Sequence, residues 1–511
     1  MIRRATLRLL VGVLLSAGIF AGPMVAGESP GSELPRAIVA TALGPTPVVD
    51  DLRHLADVIG GRPTGSPALD HAVEWGLSRL RDAGLENVHA EAYTVPHVWL
   101  PRTETAEVVA GEAGERTPLR VAAMPFSAST PPSGLEAEVV DVGRGDAEGF
   151  AAAGDRLRGR WVLIHSEPMK TIDDLFKEYL DTPGFFEAAR KGGAAGILYV
   201  SNRPGRLLYR HDATSDGSMA SLPAVVAERE GALRLARLLL EGRKVRLRVV
   251  SIADVTTNAT ARNVVGEIRG GEKPDDVVIL GAHLDSWDLG RGALDNGCNA
   301  ALVIDAARTI RSVLGAARPR RTLRFVLYTG EELGLFGSLG EVRAHRDLLD
   351  RVKAQVVVDE GTGRIGGFSL GGRADLAAAT REALAPVEGL GPFLQTTDAF
   401  VGTDNYDYLV EGVPTLVANQ DAAPYLADYH AESDTFDKAD LRELKLNTAI
   451  VAVLVAGLAE RSDSPAPRQS RAEVEALLRS TGLDAQMKLF GLWDDFEEGR
   501  RGRARSPSAR R

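Results

Sequence analysis

The stretch "GAHLDSWDLGRGALDNG", residues 281–297, sets His283, Asp285 and Asp295 close together in a glycine-broken segment directly after the apolar run "VVIL". Glu331 and Glu332 follow a second apolar run, "RFVLYTG", and Asp359 follows a third, "QVVV". A second histidine, His430, lies in "DYHAESDT", behind the strand-like "TLVAN". Acids and imidazole thus recur at the carboxyl end of apolar runs, which is where open parallel sheets bind ligands. Carboxylates converging there repel one another and rise in pKa, an arrangement that persists when a cation neutralises it. Imidazole plus carboxylate without thiolate suits zinc or another borderline divalent ion. Five such ligands with one bridging aspartate would serve two ions about 3.5–4 Å apart, the separation of two-metal hydrolytic sites.

Each residue taken alone has a plainer role. A histidine after a strand is more often hydrogen-bonded structure than a ligand, acids at strand ends cap helices, and paired glutamates usually form a solvated face. The same position occupied on three runs, with a histidine downstream, favours the metal. Cys298, beside the cluster, reads as a packing residue. A rival motif is "GFSLG", residues 367–371, which fits the GxSxG of serine hydrolases, with Ser369, Asp404 and His430 in Ser, Asp, His order. Its flanks, "RIGG" and "GGRAD", lack the strand before and helix after that a nucleophile elbow needs, and a triad leaves the upstream acids unexplained.

The elements that must position the cluster follow from the runs themselves. "DDVVILGAH", "RTLRFVLYTGEE" and "KAQVVVDEG" are apolar on both faces, with helical segments such as 299–314 between them. This predicts an α/β fold with a mainly parallel central sheet covered by helices on both faces. The run 450–459 is too short to span a bilayer and predicts a buried helix. Upstream, residues 136–250 alternate short β-rich runs with helical pieces at 185–191 and 230–240, a smaller mixed α/β module. Residues 47–85 read as two helices joined by a turn near Arg62, and the stretch to about 130 as short strand-like pieces.

At 511 residues the chain exceeds one ordinary core. We divide it into a signal peptide (1–26), an N-terminal part of the catalytic domain (27–130), the inserted module (131–255), the catalytic domain proper (256–462), and a linker with a basic tail (463–511). One amphipathic helix is expected in the last, near 472–478. The N-terminus has a basic stretch with Arg3, Arg4 and Arg8, then about a dozen apolar residues, then small residues near Ala26, the layout of a secretory signal. It predicts export to the periplasm or beyond, with no stable membrane span. A formal net charge of −10 argues against a general nucleic-acid binder, and a lone cysteine excludes an intramolecular disulfide.

Together "GAHLDSWDLGRGALDNG", "RRTLRFVLYTGEELG", "VVVDEGTG", "GTDNYDYLVEGVP" and "YHAESDT" resemble the co-catalytic zinc exopeptidases, the aminopeptidase and carboxypeptidase Q family. "HLDSWD" looks most like the carboxypeptidase Q branch, and upstream "GGRPTGS", "DAGLENVHAEAYTVPHVW" and "TPPSGLEAEVVDV" extend the similarity over roughly residues 50–459. The resemblance implies two zinc ions per chain. His283 and Asp359 would bind one, Glu332 and His430 the other, and Asp295 would bridge. Glu331 would be the general base, and Asp285 would orient His283. The module at 131–255 resembles the protease-associated domain inserted in several of these enzymes. "DNGCNA" departs from the usual small-residue run after the bridging aspartate, and Glu360 beside Asp359 is a competing acid.

The implied reaction is hydrolysis of a peptide bond at a chain end, on dipeptide or peptide substrates; the branch resemblance also implies a homodimer. Carboxypeptidase or dipeptidase action and aminopeptidase action remain alternatives. Asp404 is a candidate to read an amine and Arg291 a candidate to read a carboxylate. A receptor-like binding protein of the same fold would have lost ligands, which are all present here, and a glutaminyl cyclase on a related fold would use one zinc.

Overall fold

The computed structural model describes residues 33–110 and 115–504. The signal predicted for 1–26 lies outside the described residues. The first strands are β1 (Glu86–Ala110), β2 (Glu115–Leu119), β3 (Val121–Ala123), β4 (Leu135–Asp141), β5 (Trp161–Ile164), β6 (Gly196–Val200) and β7 (Ala224–Ala227). They are followed by β8 (Val245–Ile268), β9 (Lys273–His283), β10 (Arg321–Tyr328), β11 (Val352–Val357), β12 (Ile365–Ser369), β13 (Leu394–Thr396) and β14 (Thr415–Gln420).

Strand β9 is the centre of the catalytic part, parallel to β10 on one side and to β11 on the other, with β14 parallel beyond β11. Antiparallel strands flank this parallel group: β8 pairs with β10, and β12 with β14. Helices cover both faces because the strands alternate two apolar sets. Val278, Leu280 and Ala282 of β9 join Leu323, Phe325 and Leu327 of β10 in one core, packed under helices Cys298–Leu314 and Leu441–Glu460. Ile279, Val326 and Tyr328 face the other way, onto Val342 of helix Phe336–Ala344 and onto Tyr408. Strands buried on both faces must read as continuous apolar runs, as these do.

The inserted module has its own parallel set, β4 to β7, with helices Ile172–Lys191 and Arg229–Leu240 on its two sides. It is joined to the catalytic part by more than a linker. β1, 25 residues long, and β8, 24 residues long, form one antiparallel ribbon that runs through both parts. Most of the stretch expected as short pieces before residue 130 is thus the single long strand β1, with β2 and β3 after it, and the boundary drawn at 255 falls inside β8. The sequence conceals β1 because Pro96 and Pro101 interrupt it, and proline normally demotes a strand; here a register shift between Pro101 and Thr103 absorbs the missing donor.

The C-terminal segment also departs from the expected linker and tail. Helices Arg471–Thr481, Leu483–Leu489 and Trp493–Glu497 pack Val474, Leu478, Met487 and Phe496 onto Tyr406, Leu409 and Val410. Arg501 is buried and paired with Asp407, Nε to Oδ1 at 2.8 Å and Nη2 to Oδ2 at 2.9 Å. An arginine-rich segment reads as solvated until a buried carboxylate partner is known.

Candidate metal centre

Four connected strand ends build the site. His283 is the last residue of β9 and is level with Tyr328, the last of β10. Glu331 and Glu332 follow β10, Asp359 follows β11, and His430 lies beyond β14. Asp295 comes from the turn that feeds helix Cys298–Leu314. Parallel strands deliver all of these to one edge of the sheet.

Among the described residues two groups of candidate metal donors form, His283 with Asp295 and Asp359, and Asp295 with Glu332 and His430; Asp295 belongs to both. His283 Nε2 lies 3.2 Å from Asp295 Oδ1 and 2.9 Å from Asp359 Oδ1. His430 Nε2 lies 3.3 Å from Asp295 Oδ2 and 3.0 Å from Glu332 Oε2. The two carboxylate oxygens of Asp295 are thus divided between the two imidazoles.

Both imidazoles present Nε2 inward for the same reason. His283 Nδ1 donates to the main-chain carbonyl of Asp285 at 3.0 Å, and His430 Nδ1 donates to the carbonyl of Arg210 at 3.3 Å. A carbonyl only accepts, so each Nδ1 carries a proton and each Nε2 is turned toward the carboxylates, the orientation in which it can bind a cation. Asp285 was expected to orient His283, and its carboxylate is one group that could do so. That group is farther, Oδ1 at 3.6 Å from Nδ1, and its Oδ2 accepts from Thr64 Oγ1 at 2.8 Å. The main-chain carbonyl of Asp285 makes the hydrogen bond instead.

The chemistry of the donor set fits a divalent cation. Glu332 Oε1 is buried without a hydrogen-bond partner, which is costly for a carboxylate. Burial pushes Glu331 well above the usual carboxylate range, with the charges of Asp359 and Glu332 adding to it. Burial likewise pushes Glu332 up to about 7, against the opposing pull of His430. Asp295 is held below its usual range: burial opposes this, and hydrogen bonds from His283 and His430 outweigh it. The shared aspartate is therefore the carboxylate that stays ionised most readily.

Several residues that position the cluster went unread in the sequence. Asp434 accepts from the N–H groups of Ala293, Leu294 and Asp295, at 3.1, 2.7 and 3.1 Å, and so fixes the turn that aims Asp295. Arg62, fully buried, donates to the carbonyls of Leu284, Gly60, Arg291 and Gly292 and ties this turn to the segment after β9. Asn296 Nδ2 donates to Asp359 Oδ1 at 2.6 Å. Asp434 and Arg62 lie in "YHAESDT" and "GGRPTGS", two of the stretches that carry the resemblance, and that was their one sequence signal.

Of the competing acids, Asp359 faces His283, whereas Glu360 Oε2 accepts from the Gln420 N–H at 2.9 Å. Ser369 ends β12 with its hydroxyl donating to the Asp398 carbonyl at 3.0 Å, away from His430, so no triad forms. Cys298 is a buried free thiol donating to Leu294 O at 3.3 Å, a packing residue as read. Arg291 is exposed and Asp404 is wholly buried; neither lines the cavity of about 160 Å³ that opens over the cluster. Glu331 does line it, belongs to neither donor group, and at 13% is the most exposed of the clustered acids. Among the described residues no helix is long and apolar enough to cross a membrane.

Residues 263–455 match the family model described as Peptidase family M28. The chain is 28% identical over 414 residues to Carboxypeptidase Q of Rattus norvegicus, covering 80% of this chain and 84% of that protein. It superposes on the crystal structure of a Peptidase M28 precursor from Shewanella amazonensis with a TM-score of 0.76 and 25% identity, over 86% of this chain and 99% of that one. A zinc aminopeptidase from Bacillus subtilis shares the fold at a TM-score of 0.64 and 19% identity, over 85% and 98% of the two chains. The matched region contains every clustered donor, and the family match together with this similarity to Carboxypeptidase Q indicates a zinc metallopeptidase.

Proposed function

We propose that the protein is an exported exopeptidase that holds two zinc ions and hydrolyses dipeptides or terminal peptide bonds, in the manner of carboxypeptidase Q. The observation that carries the reading is the division of the Asp295 carboxylate between two donor groups, with Glu331 left outside both and facing the cavity. His283 and Asp359 would hold one ion, Glu332 and His430 the other, with Asp295 between them.

Zinc bound there supplies Lewis acidity toward the scissile carbonyl and a lowered pKa for water. Glu331 then takes the proton of the attacking water and delivers it to the leaving amine nitrogen. Its adjacency to Glu332 lets one residue bind while its neighbour points at the reacting atoms. Asp285 and Arg210 hold the two imidazoles through main-chain carbonyls, and Asp434 holds the bridging carboxylate by its backbone. Release of N-terminal residues is the second reading, favoured because among the described residues no lysine or arginine lines the cavity.

The test compares unblocked dipeptides, N-blocked dipeptides and amino-acid anilides as substrates of the wild type and of Glu331→Gln at equal zinc loading. The reading stands if wild type cleaves while the variant keeps its zinc and loses at least ~100-fold in rate. It fails if both bind zinc and neither cleaves. Export is tested separately, by sequencing the N-terminus of the mature protein from the producing cell.

A further inference from the structure

We infer that Asp212, carried by the inserted module, reads the free α-ammonium group of the substrate while an adjoining apolar wall holds the side chain of the N-terminal residue. The substrate class is then peptides with an unblocked amine and a large apolar first residue. This rests on the exopeptidase reading above and specifies which end of the substrate is read.

The cavity over the metal cluster is asymmetric in charge. Among the described residues no lysine or arginine lines it, so none of them offers a fixed cation to a free carboxylate. Of its acids, Asp295, Glu331, Glu332 and Asp359 belong to the catalytic cluster, and Glu360 is engaged by the Gln420 N–H. That leaves Asp212, whose Oδ1 is buried with no hydrogen-bond partner and which lies within electrostatic reach of Glu332 and His430. A carboxylate oxygen held out of water without a donor is costly unless a ligand provides one. An α-ammonium has three N–H donors and a full charge, and the α-amine of a peptide is largely protonated near neutrality.

Asp212 is held in place. Two residues before it Arg210 is wholly buried, donating to both carboxylate oxygens of Glu104 and of Asp288. One residue after it, the N–H of Ala213 donates to the Pro125 carbonyl at 3.0 Å. The apolar wall is contributed by Leu175, Phe176 and Tyr179 of the module and by Phe400, Tyr425 and Phe490 of the catalytic and C-terminal segments. Phe176 and Phe400 meet edge to face at 5.6 Å across the seam, and the Tyr179 and Tyr429 hydroxyls lie 2.9 Å apart. The module thus closes the substrate's side-chain pocket as well as supplying the acid.

The experiment is calorimetric titration of the zinc-loaded protein with leucine hydroxamate and with 4-methylpentanoyl hydroxamate, which lacks only the amine. Wild type is expected to bind the amine-bearing compound at least ~10-fold more tightly, the size of a charge-assisted hydrogen bond. In Asp212→Asn that ratio is expected to fall below about threefold while the affinity for the amine-free compound stays within about threefold of wild type. A wild-type ratio near one overturns the inference without any variant. A ratio unchanged in Asp212→Asn also overturns it, assigning the amine to another group. If neither compound binds wild type at full zinc content, the exopeptidase reading falls as well.

Discussion

Arg210 of the inserted module and His430 of the catalytic part exchange two main-chain contacts: the Arg210 N–H donates to the His430 carbonyl at 3.0 Å, and His430 Nδ1 donates to the Arg210 carbonyl at 3.3 Å. Tyr209 and Ala431 extend the pairing as an isolated β-bridge. His430 itself is left-handed, with φ 55°, a conformation that surrounding structure must impose on a residue with a Cβ. A metal-facing imidazole therefore owes its orientation to a different module of the chain.

Removing the Arg210 side chain tests this dependence. Arg210→Ala leaves the partly exposed Glu104 and Asp288 without their buried partner, a loss of about 1–3 kcal/mol, and loosens the segment that holds His430. We expect zinc affinity to fall by about 10–100-fold, the usual cost of losing a residue that orients a metal-bound histidine. Chelator competition and thermal unfolding check the two effects separately. Destabilisation with wild-type zinc affinity would show that the main-chain pairing holds His430 without the Arg210 side chain.

Asp434 is expected to act on the site more than on the fold. Asp434→Ala removes the acceptor of three backbone N–H groups at the Asp295 turn. Peptidase activity should fall by at least ~10-fold with zinc content reduced below wild type. Retention of full activity and full zinc would mean that Arg62 suffices to hold the turn.

Zinc affinity should depend on pH in one direction. Without a cation, burial holds the Glu332 pKa at about 7, so below that value the group carries a proton which zinc must displace. Against the opposing effect of burial, the carboxylates around it also raise the His430 pKa to about 10, so apparent affinity falls as pH drops and falls more steeply below about pH 7, by up to about tenfold per unit for each proton displaced. Competition with a chromogenic chelator at about pH 8 and about pH 6 measures it. An affinity that rose on acidification would contradict the assignment.

The C-terminal segment should be required for stability. Arg501 and Asp407 are both buried, and the Arg501 guanidinium also lies over the Tyr406 ring, 5.0 Å from its centre. Arg501→Ala leaves Asp407 uncompensated and is expected to cost about 3–5 kcal/mol, read as a lowered midpoint in denaturant. A midpoint unchanged from wild type would place the segment outside the cooperative fold.

The clustered donors were legible because each sits at the end of an apolar run, where local sequence marks both the strand and its stop. Helix Leu441–Glu460 and the parallel centre of the sheet were legible for a related reason, since burial on both faces leaves an uninterrupted apolar pattern. Strand β1 was not, because its prolines mimic loop composition and its pairing with β8 brings together residues far apart in the chain. Of the C-terminal helices only the one expected near 472–478 was legible, found at Arg471–Thr481; the packing of the rest was hidden by charge, for Arg471 and Arg501 count as surface residues until Glu475 and Asp407 are seen beside them. Asp285 lies two residues after His283 in the sequence, but which of its oxygens takes the hydrogen bond depends on backbone direction after β9.

By itself the sequence determined the donor types, their placement at strand ends and hence the metal chemistry, since these follow from local burial patterns and from the coordination preferences of imidazole and carboxylate. Only the tertiary structure decided that Asp295 divides its two oxygens between His283 and His430, that Arg210 turns His430 toward it, and that Asp212 enters the same cavity. Those relations join segments separated by long stretches of chain, and periodicity along a chain records which face of an element is buried, not which distant loop it meets.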